Sequence, residues 1–196
     1  MSALTNSKKP VKAINDFFQI LLENQRAVSI LQIVLASCFI GICAQIKIPL
    51  YFTPVPLSVQ TLAVMLIGAT LGSRKGALAV LCYLLQGWMG LPVFAGGAAG
   101  VFYFVGPTGG YLTALVAQAY FIGWCLERDC TMGSVKIVSV LLLSICIQLG
   151  VGSLWLAQYV GIKHCFALGF SPFVCGEAAK ALMVAAYVNF KKYKST

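Results

Sequence analysis

Residues 87–112 read GWMGLPVFAGGAAGVFYFVGPTGGYL. The density of glycine, together with Pro92 and Pro107, forbids a continuous helix, yet the stretch carries Leu91, Val93, Phe94, Val101, Phe102, Tyr103, Phe104 and Val105. A solvated linker would not hold so many large apolar side chains. A segment folded back onto a membrane bundle, closing over a small ligand, would.

The flanking sequence supplies such a bundle. Of 196 residues, 60% are hydrophobic and only 10% charged, which excludes a soluble domain and points to an all-α integral membrane protein crossing the bilayer several times. The net charge of +9 does not indicate nucleic acid, because the basic residues lie in short interhelical segments and at the tails, where membrane topology accounts for them. Eight cysteines are present without a CxxC pair, and most sit inside apolar runs as small hydrophobes. Cys165 and Cys175 fall near one expected loop, close enough in sequence for a disulfide to be considered.

Upstream, residues 1–28 form a polar, basic lead without the apolar core of a cleaved signal peptide. Ile14, Phe17, Phe18, Leu21 and Leu22 repeat there at helical spacing, as in a helix lying on the membrane surface or a loosely docked tail. Residues 29–196 form the membrane domain. Its expected spans are 30–48, 57–71, 76–89, 110–126, 135–159 and 172–190, six in all, with a proline-rich break at 49–56 and a tight basic turn at 72–76. Ser37 and Gly41, four apart on the first span, allow close approach of another helix. Trp88, Trp124 and Trp155 sit where interface anchors are expected.

An even number of spans puts both termini on one side, and the positive-inside rule makes that side cytoplasmic. Lys8, Lys9, Lys12, Arg26, Arg74, Lys75, Arg128, Lys136, Lys191, Lys192 and Lys194 then face inward, against Lys47, Lys163 and Lys180 in the outer half. The segments 49–56, 87–112 and 162–171 share the outer face, where an extracellular solute arrives.

Glu177 and Lys180 carry the most chemical information. An ionised side chain at membrane depth costs several kcal/mol unless it is paired or lines a wet cavity, and three residues apart on a helix these two share a face. They read as a polar site for a ligand with an anionic group and amide-like donors, Lys180 as cationic anchor and Glu177 as acceptor, or as a purely structural pair. The glycines of the opening stretch permit close backbone approach, and Trp88, Phe94, Phe102 and Tyr111 are placed to wall a ring-shaped solute. An enzyme is not indicated: His164 is the sole histidine and lacks a metal-ligand or catalytic constellation, and neither a GxSxG elbow nor a GxxxxGK[ST] phosphate loop occurs. No catalytic residue, metal or cofactor is expected, and energy for transport must come from elsewhere.

The run AQIKIPLYFTPVPLSVQTLAVMLIGATLGSRKGALA (44–79), then YLLQGWMGLPVFAGGAAG (83–100), GPTGGYL (106–112) and the last helix with its acid-x-x-Lys pattern resemble BioY, the biotin-binding S component of energy-coupling-factor (ECF) transporters, collinearly over about residues 30–190. The resemblance implies a six-helix S-component bundle in the cytoplasmic membrane. It would capture biotin at the outer face under the 49–56 and 87–112 loops, with a transmembrane scaffold subunit and two ATPase subunits as partners in many members. The implied substrate-binding set is Glu177, Lys180, Phe94, Gly96, Gly97, Gly109, Gly110, Tyr111, Thr53 and Gln60. The family's acid is usually Asp in a GDxxK pattern; this chain has Gly176-Glu177-Ala178-Ala179-Lys180, one methylene longer. Glu177 is expected to accept from the ureido nitrogens of biotin, and Lys180 to meet either the carboxylate or the ureido oxygen. Another small vitamin with ring-plus-acid chemistry is the alternative substrate, and a scaffold whose charges serve only helix pairing the alternative role.

Overall fold

In the computed structural model, residues 24–129 and 132–195 are described; the expected surface helix over 14–22 lies outside them. The first helix, α1 (Gln25–Gln45), starts where the Asn24 side chain accepts from the backbone N–H of Arg26 and Ala27 at 3.1 and 3.4 Å. It begins and ends earlier than the apolar run alone indicates, because Lys47 and Ile48 leave the helix to form β1 (Lys47–Ile48). That strand pairs antiparallel with β2 (Leu57–Ser58), in the register Lys47 to Ser58 and Ile48 to Leu57, with the proline-rich loop between them. Ser37 and Gly41 are used within the chain. Gln86 donates to the Ser37 hydroxyl at 3.0 Å, and Val93 packs on Gly41.

Helix α2 (Gln60–Trp88) contains one break, at Gly72, where φ is 82° and ψ −178°. The break reverses the chain. A Cβ on Gly76 would lie 3.2 Å from the Gly68 Cα, whereas eight residues of uninterrupted helix would separate them by about 12 Å. Arms 60–71 and 73–88 are therefore two spans folded against each other on a pair of glycines. The turn takes a single residue rather than the five marked by the basic cluster, because the Glu127 carboxylate caps the second arm. The Ser73 backbone N–H and hydroxyl donate to its two oxygens at 2.8 and 2.6 Å.

The opening stretch leaves the helix after Trp88 and turns at Gly96 and Gly97, both with φ of 75°, where Phe94 bridges to Ala98. It then forms a five-residue helix, α3 (Val101–Val105), before α4 (Gly109–Arg128). Helix α5 (Ser134–Val160) stops at Gly161, φ 84°. The expected loop at 162–171 is instead largely a short helix, α6 (Ile162–Gly169), steadied by Phe166 stacked on Phe170 at 4.9 Å; α7 (Ser171–Ser195) completes the bundle. Among the described residues, five helices are long and apolar enough to cross a membrane. With α2 folded at Gly72, these provide the six expected spans. Their outward faces carry Ile42, Leu143, Leu154 and Leu182, as a lipid-facing surface requires.

Two apolar clusters hold the bundle together. One joins α1, both arms of α2 and α4 through Ile40, Val64, Val80, Tyr83, Leu115 and Ala119. The other joins α4, α5 and α7 through Ile122, Leu141, Leu149, Phe173 and Ala181. The β1–β2 hairpin, the 89–108 segment and α6 gather at one end, tied by Gly97 N–H to Gln45 Oε1 at 2.9 Å and Tyr111 hydroxyl to Gly169 carbonyl at 2.7 Å. Cys165 and Cys175 are both free thiols, one buried and one exposed, so the disulfide considered from sequence is not formed.

Candidate functional site

Between the two apolar clusters, beneath the gathered loops, lies a cavity. Its empty space totals about 520 Å³, a figure that includes the part open to solvent. Val55, Leu112, Leu115, Tyr111, Leu149 and Phe173 give it apolar walls; Gln60, Thr61, Gln148 and Glu177 give it polar points, and Tyr103 and Thr108 close it from the lid side.

Glu177, on the first half of α7, is 3% exposed. Its Oε1 accepts from Lys180 Nζ at 2.7 Å and from the Thr61 hydroxyl at 2.9 Å. Lys180 also donates to the Ser58 carbonyl at 2.6 Å and to Thr61 Oγ1 at 2.8 Å. An ammonium has three protons, and these three acceptors use them all. Lys180 is absent from the cavity lining; it stands behind Glu177 and fixes it to β2 and the start of α2. The remaining carboxylate oxygen, Oε2, is buried without a partner.

Two further lining residues share that condition: Gln60 Nε2 and Gln148 Oε1 are also buried and unpartnered. Buried polar atoms are almost always satisfied, and each orphan costs about 1–3 kcal/mol. Three around one cavity, one donor and two acceptors, form a recognition surface for a group with two donors and one acceptor.

Of the residues expected from sequence, Glu177, Gln60 and Tyr111 meet at this cavity, Tyr111 through its ring, since its hydroxyl is committed to Gly169. Thr53 and Gly96 line a second, outer compartment, which shares Pro56, Ala95, Tyr103 and Thr108 with the first and forms its vestibule. Phe102 also lines this compartment. Phe94 is not a wall of the cavity. It is fully buried beneath the lid, stacked on Tyr103 at 5.1 Å and edge-on to Tyr83 and Phe104 at 5.6 and 5.3 Å. Gly97 anchors the turn to Gln45. Gly109 and Gly110 serve packing, because a Cβ at either would collide with the Phe104 carbonyl or with Trp155. Trp88 is exposed and Arg128 covers the ring of Trp124 at 4.7 Å, whereas Trp155 reaches the lid, donating to the Gly106 carbonyl at 3.0 Å beside a bond from the Tyr159 hydroxyl to the Val105 carbonyl. Burial pushes the Tyr103 phenol up from its usual value, against a smaller lowering by Thr108, so the lid presents it as a neutral hydroxyl.

Sequence reasoning missed Gln148, Thr61, Ser58, Tyr103, Thr108 and Phe173. Gln148 did leave a signal, an amide in the middle of an apolar span. Thr61 and Ser58 left none, since a hydroxyl or a backbone carbonyl at a span end is commonplace.

The sequence matches the profile of the BioY family over residues 14–194. It is similar to the biotin transporter BioY2 of Lactococcus lactis subsp. cremoris, 34% identical over 171 residues, covering 85% of this chain and 91% of that protein. With the biotin transporter BioY of Thermotoga maritima it shares 39% identity over 159 residues, 81% of this chain and 91% of that one. Among solved structures, the S-component for biotin from an ECF-type ABC transporter matches with a TM-score of 0.78 at 28% identity, covering 87% of this chain and 93% of that one.

Proposed function

The chain belongs to the BioY family, and from that premise we propose that it captures biotin in the cavity between Gln60, Gln148 and Glu177, as the substrate-binding component of an ECF-type transporter. It is a multi-pass transporter component and not an enzyme. The observation that carries the site is the set of three buried polar atoms without partners. The ureido ring of biotin has two N–H donors and one carbonyl. Glu177 Oε2 and Gln148 Oε1 accept from the two nitrogens and Gln60 Nε2 donates to the carbonyl, while Tyr111, Leu149 and Phe173 cover the thiophane ring. Lys180 is a positioning residue in this reading: it holds the carboxylate of Glu177 in place and does not itself touch the ligand.

The cavity end of the bundle faces outward across the cytoplasmic membrane. Arg74, Lys75, Arg128, Lys136, Lys191, Lys192 and Lys194 belong to the opposite end, where the Lys192 ammonium donates to the Met132 carbonyl at 2.7 Å, and basic residues are retained inside. A transmembrane scaffold subunit and two ATPase subunits supply the energy.

The test is equilibrium binding of labelled biotin to the purified full chain in detergent, with unlabelled biotin and lipoate as competitors. Biotin should compete and lipoate, which lacks the ureido group, should not. Equal competition by lipoate would refute recognition through the three polar atoms.

A further inference from the structure

With Lys180 saturated by Ser58, Thr61 and Glu177, the proposed site has no counter-charge for an acidic tail at its floor. The vestibule does. Lys47 lines it, and the vestibule opens into the cavity through Pro56, Ala95, Tyr103 and Thr108. A ligand with its ring against Glu177 and Gln148 has that shared opening available for its chain.

Several observations mark Lys47 as poised for an anion. It is the one Lys, Arg, His, Asp or Glu among the residues lining the vestibule, and among the described residues it has no carboxylate partner. Among the described residues, the one hydrogen bond of its ammonium is a long one, 3.5 Å, to the Ala95 carbonyl. Its side chain crosses Gly96, where a Cβ would collide with the ammonium, so glycine at the turn leaves the space that Lys47 occupies. Its backbone is fixed by the ladder, in which Lys47 pairs with Ser58, the residue whose carbonyl receives Lys180. The other basic residues at this end, Lys163 and His164 on α6, line neither compartment.

We propose that Lys47 recognises the ligand's carboxylate, making the protein selective for the free acid over neutral derivatives. The inference rests on the biotin reading above and extends it to the tail. Charge-assisted hydrogen bonds are about twice as strong as neutral ones, and partial exposure weakens them, so the effect should be on the order of tenfold.

The test compares biotin with biotinamide, whose tail is neutral, on the purified wild-type chain, Lys47→Gln and Lys47→Arg, at low and high salt. Wild type should prefer biotin roughly tenfold, less so at high salt. Lys47→Gln should bring the ratio of the two affinities close to one, and Lys47→Arg should restore it. A ratio in Lys47→Gln equal to that of wild type, or a wild type without preference, overturns the assignment of Lys47 and leaves the ureido site standing. A wild type that binds neither compound overturns the biotin reading, and this inference with it.

Discussion

Replacing Lys180 by Met separates the structural from the binding role of the charged pair. The substitution removes three hydrogen bonds of 2.6 to 2.8 Å and leaves Glu177, 3% exposed, with Thr61 as its one remaining partner among the described residues. Removing one member of a buried pair costs about 3–5 kcal/mol, because the other charge stays buried without compensation. Thermal unfolding in detergent should therefore show a large fall in Tm. Converting Glu177 to Leu in the same chain removes the stranded charge, and apolar replacements of similar volume are often neutral; the double variant should recover most of the lost stability. Biotin binding should not recover. Glu177 Oε2 is the proposed acceptor for a ureido nitrogen, and one hydrogen bond to a charged group is worth about 1.5–3 kcal/mol, or roughly tenfold to more than a hundredfold in Kd. Labelled-biotin binding to the two variants reads the difference directly. A double variant as stable as wild type that binds biotin within threefold of wild type would refute the reasoning and reduce the pair to a helix clamp.

Gln148→Leu should weaken biotin binding about tenfold while leaving the empty protein as stable or slightly more so, since it deletes a buried acceptor that lacks a partner; unchanged affinity would remove Gln148 from the site. Trp155→Phe combined with Tyr159→Phe cuts the two α5 donors that hold the Gly106 and Val105 carbonyls of the lid. Biotin should then dissociate several-fold faster in a stopped-flow chase, as expected when affinity is tuned through the off-rate, and an unaltered rate would show that the lid is held otherwise. Gly72→Ala forces an alanine to φ of 82° and drives its Cβ into the Glu127 carboxylate. A loss of about 1–3 kcal/mol in stability should follow, with normal biotin affinity in the fraction that remains folded.

The spans were legible because an apolar run of sufficient length has few alternatives in a chain this hydrophobic. Their ends were less so, for identifiable reasons. The turn at Gly72 looked five residues long because Ser73, Arg74 and Lys75 are polar, and only the Glu127 carboxylate, fifty-four residues away, shows that Ser73 already starts the next helix. Helix α6 was hidden in IKHCFALG, whose eight residues are too few for periodicity to separate helix from loop. That Glu177 faces an internal cavity was readable from its charge at membrane depth. That Lys180 stands behind Glu177 was not, because a sequence shows how many protons an ammonium has but not where they go. Phe94, next to the glycine turn, had the composition of a ligand wall; the structure uses it as the plug on which Tyr103 and Phe104 pack.

The site depends on a two-residue ladder more than on any single helix. Ser58 contributes its side to the cavity, its carbonyl to Lys180 and its pairing to Lys47. Through it the strand that carries the vestibule lysine is connected to the helix that carries Glu177. Side chains alternate along a strand and directly paired residues share a face, so a slip of one residue would put Lys47 and Ser58 on opposite faces of the ladder. The proline-rich loop between the strands resists that slip, because Pro49, Pro54 and Pro56 restrict the backbone and cannot donate to a shifted ladder. Floor and mouth are thus set by one register. The three unpartnered atoms at the floor weaken the empty protein by about 1–3 kcal/mol each unless water serves them. A ligand that satisfies all three removes that deficit on binding, so discrimination against a ring lacking one donor should exceed the worth of the missing hydrogen bond itself.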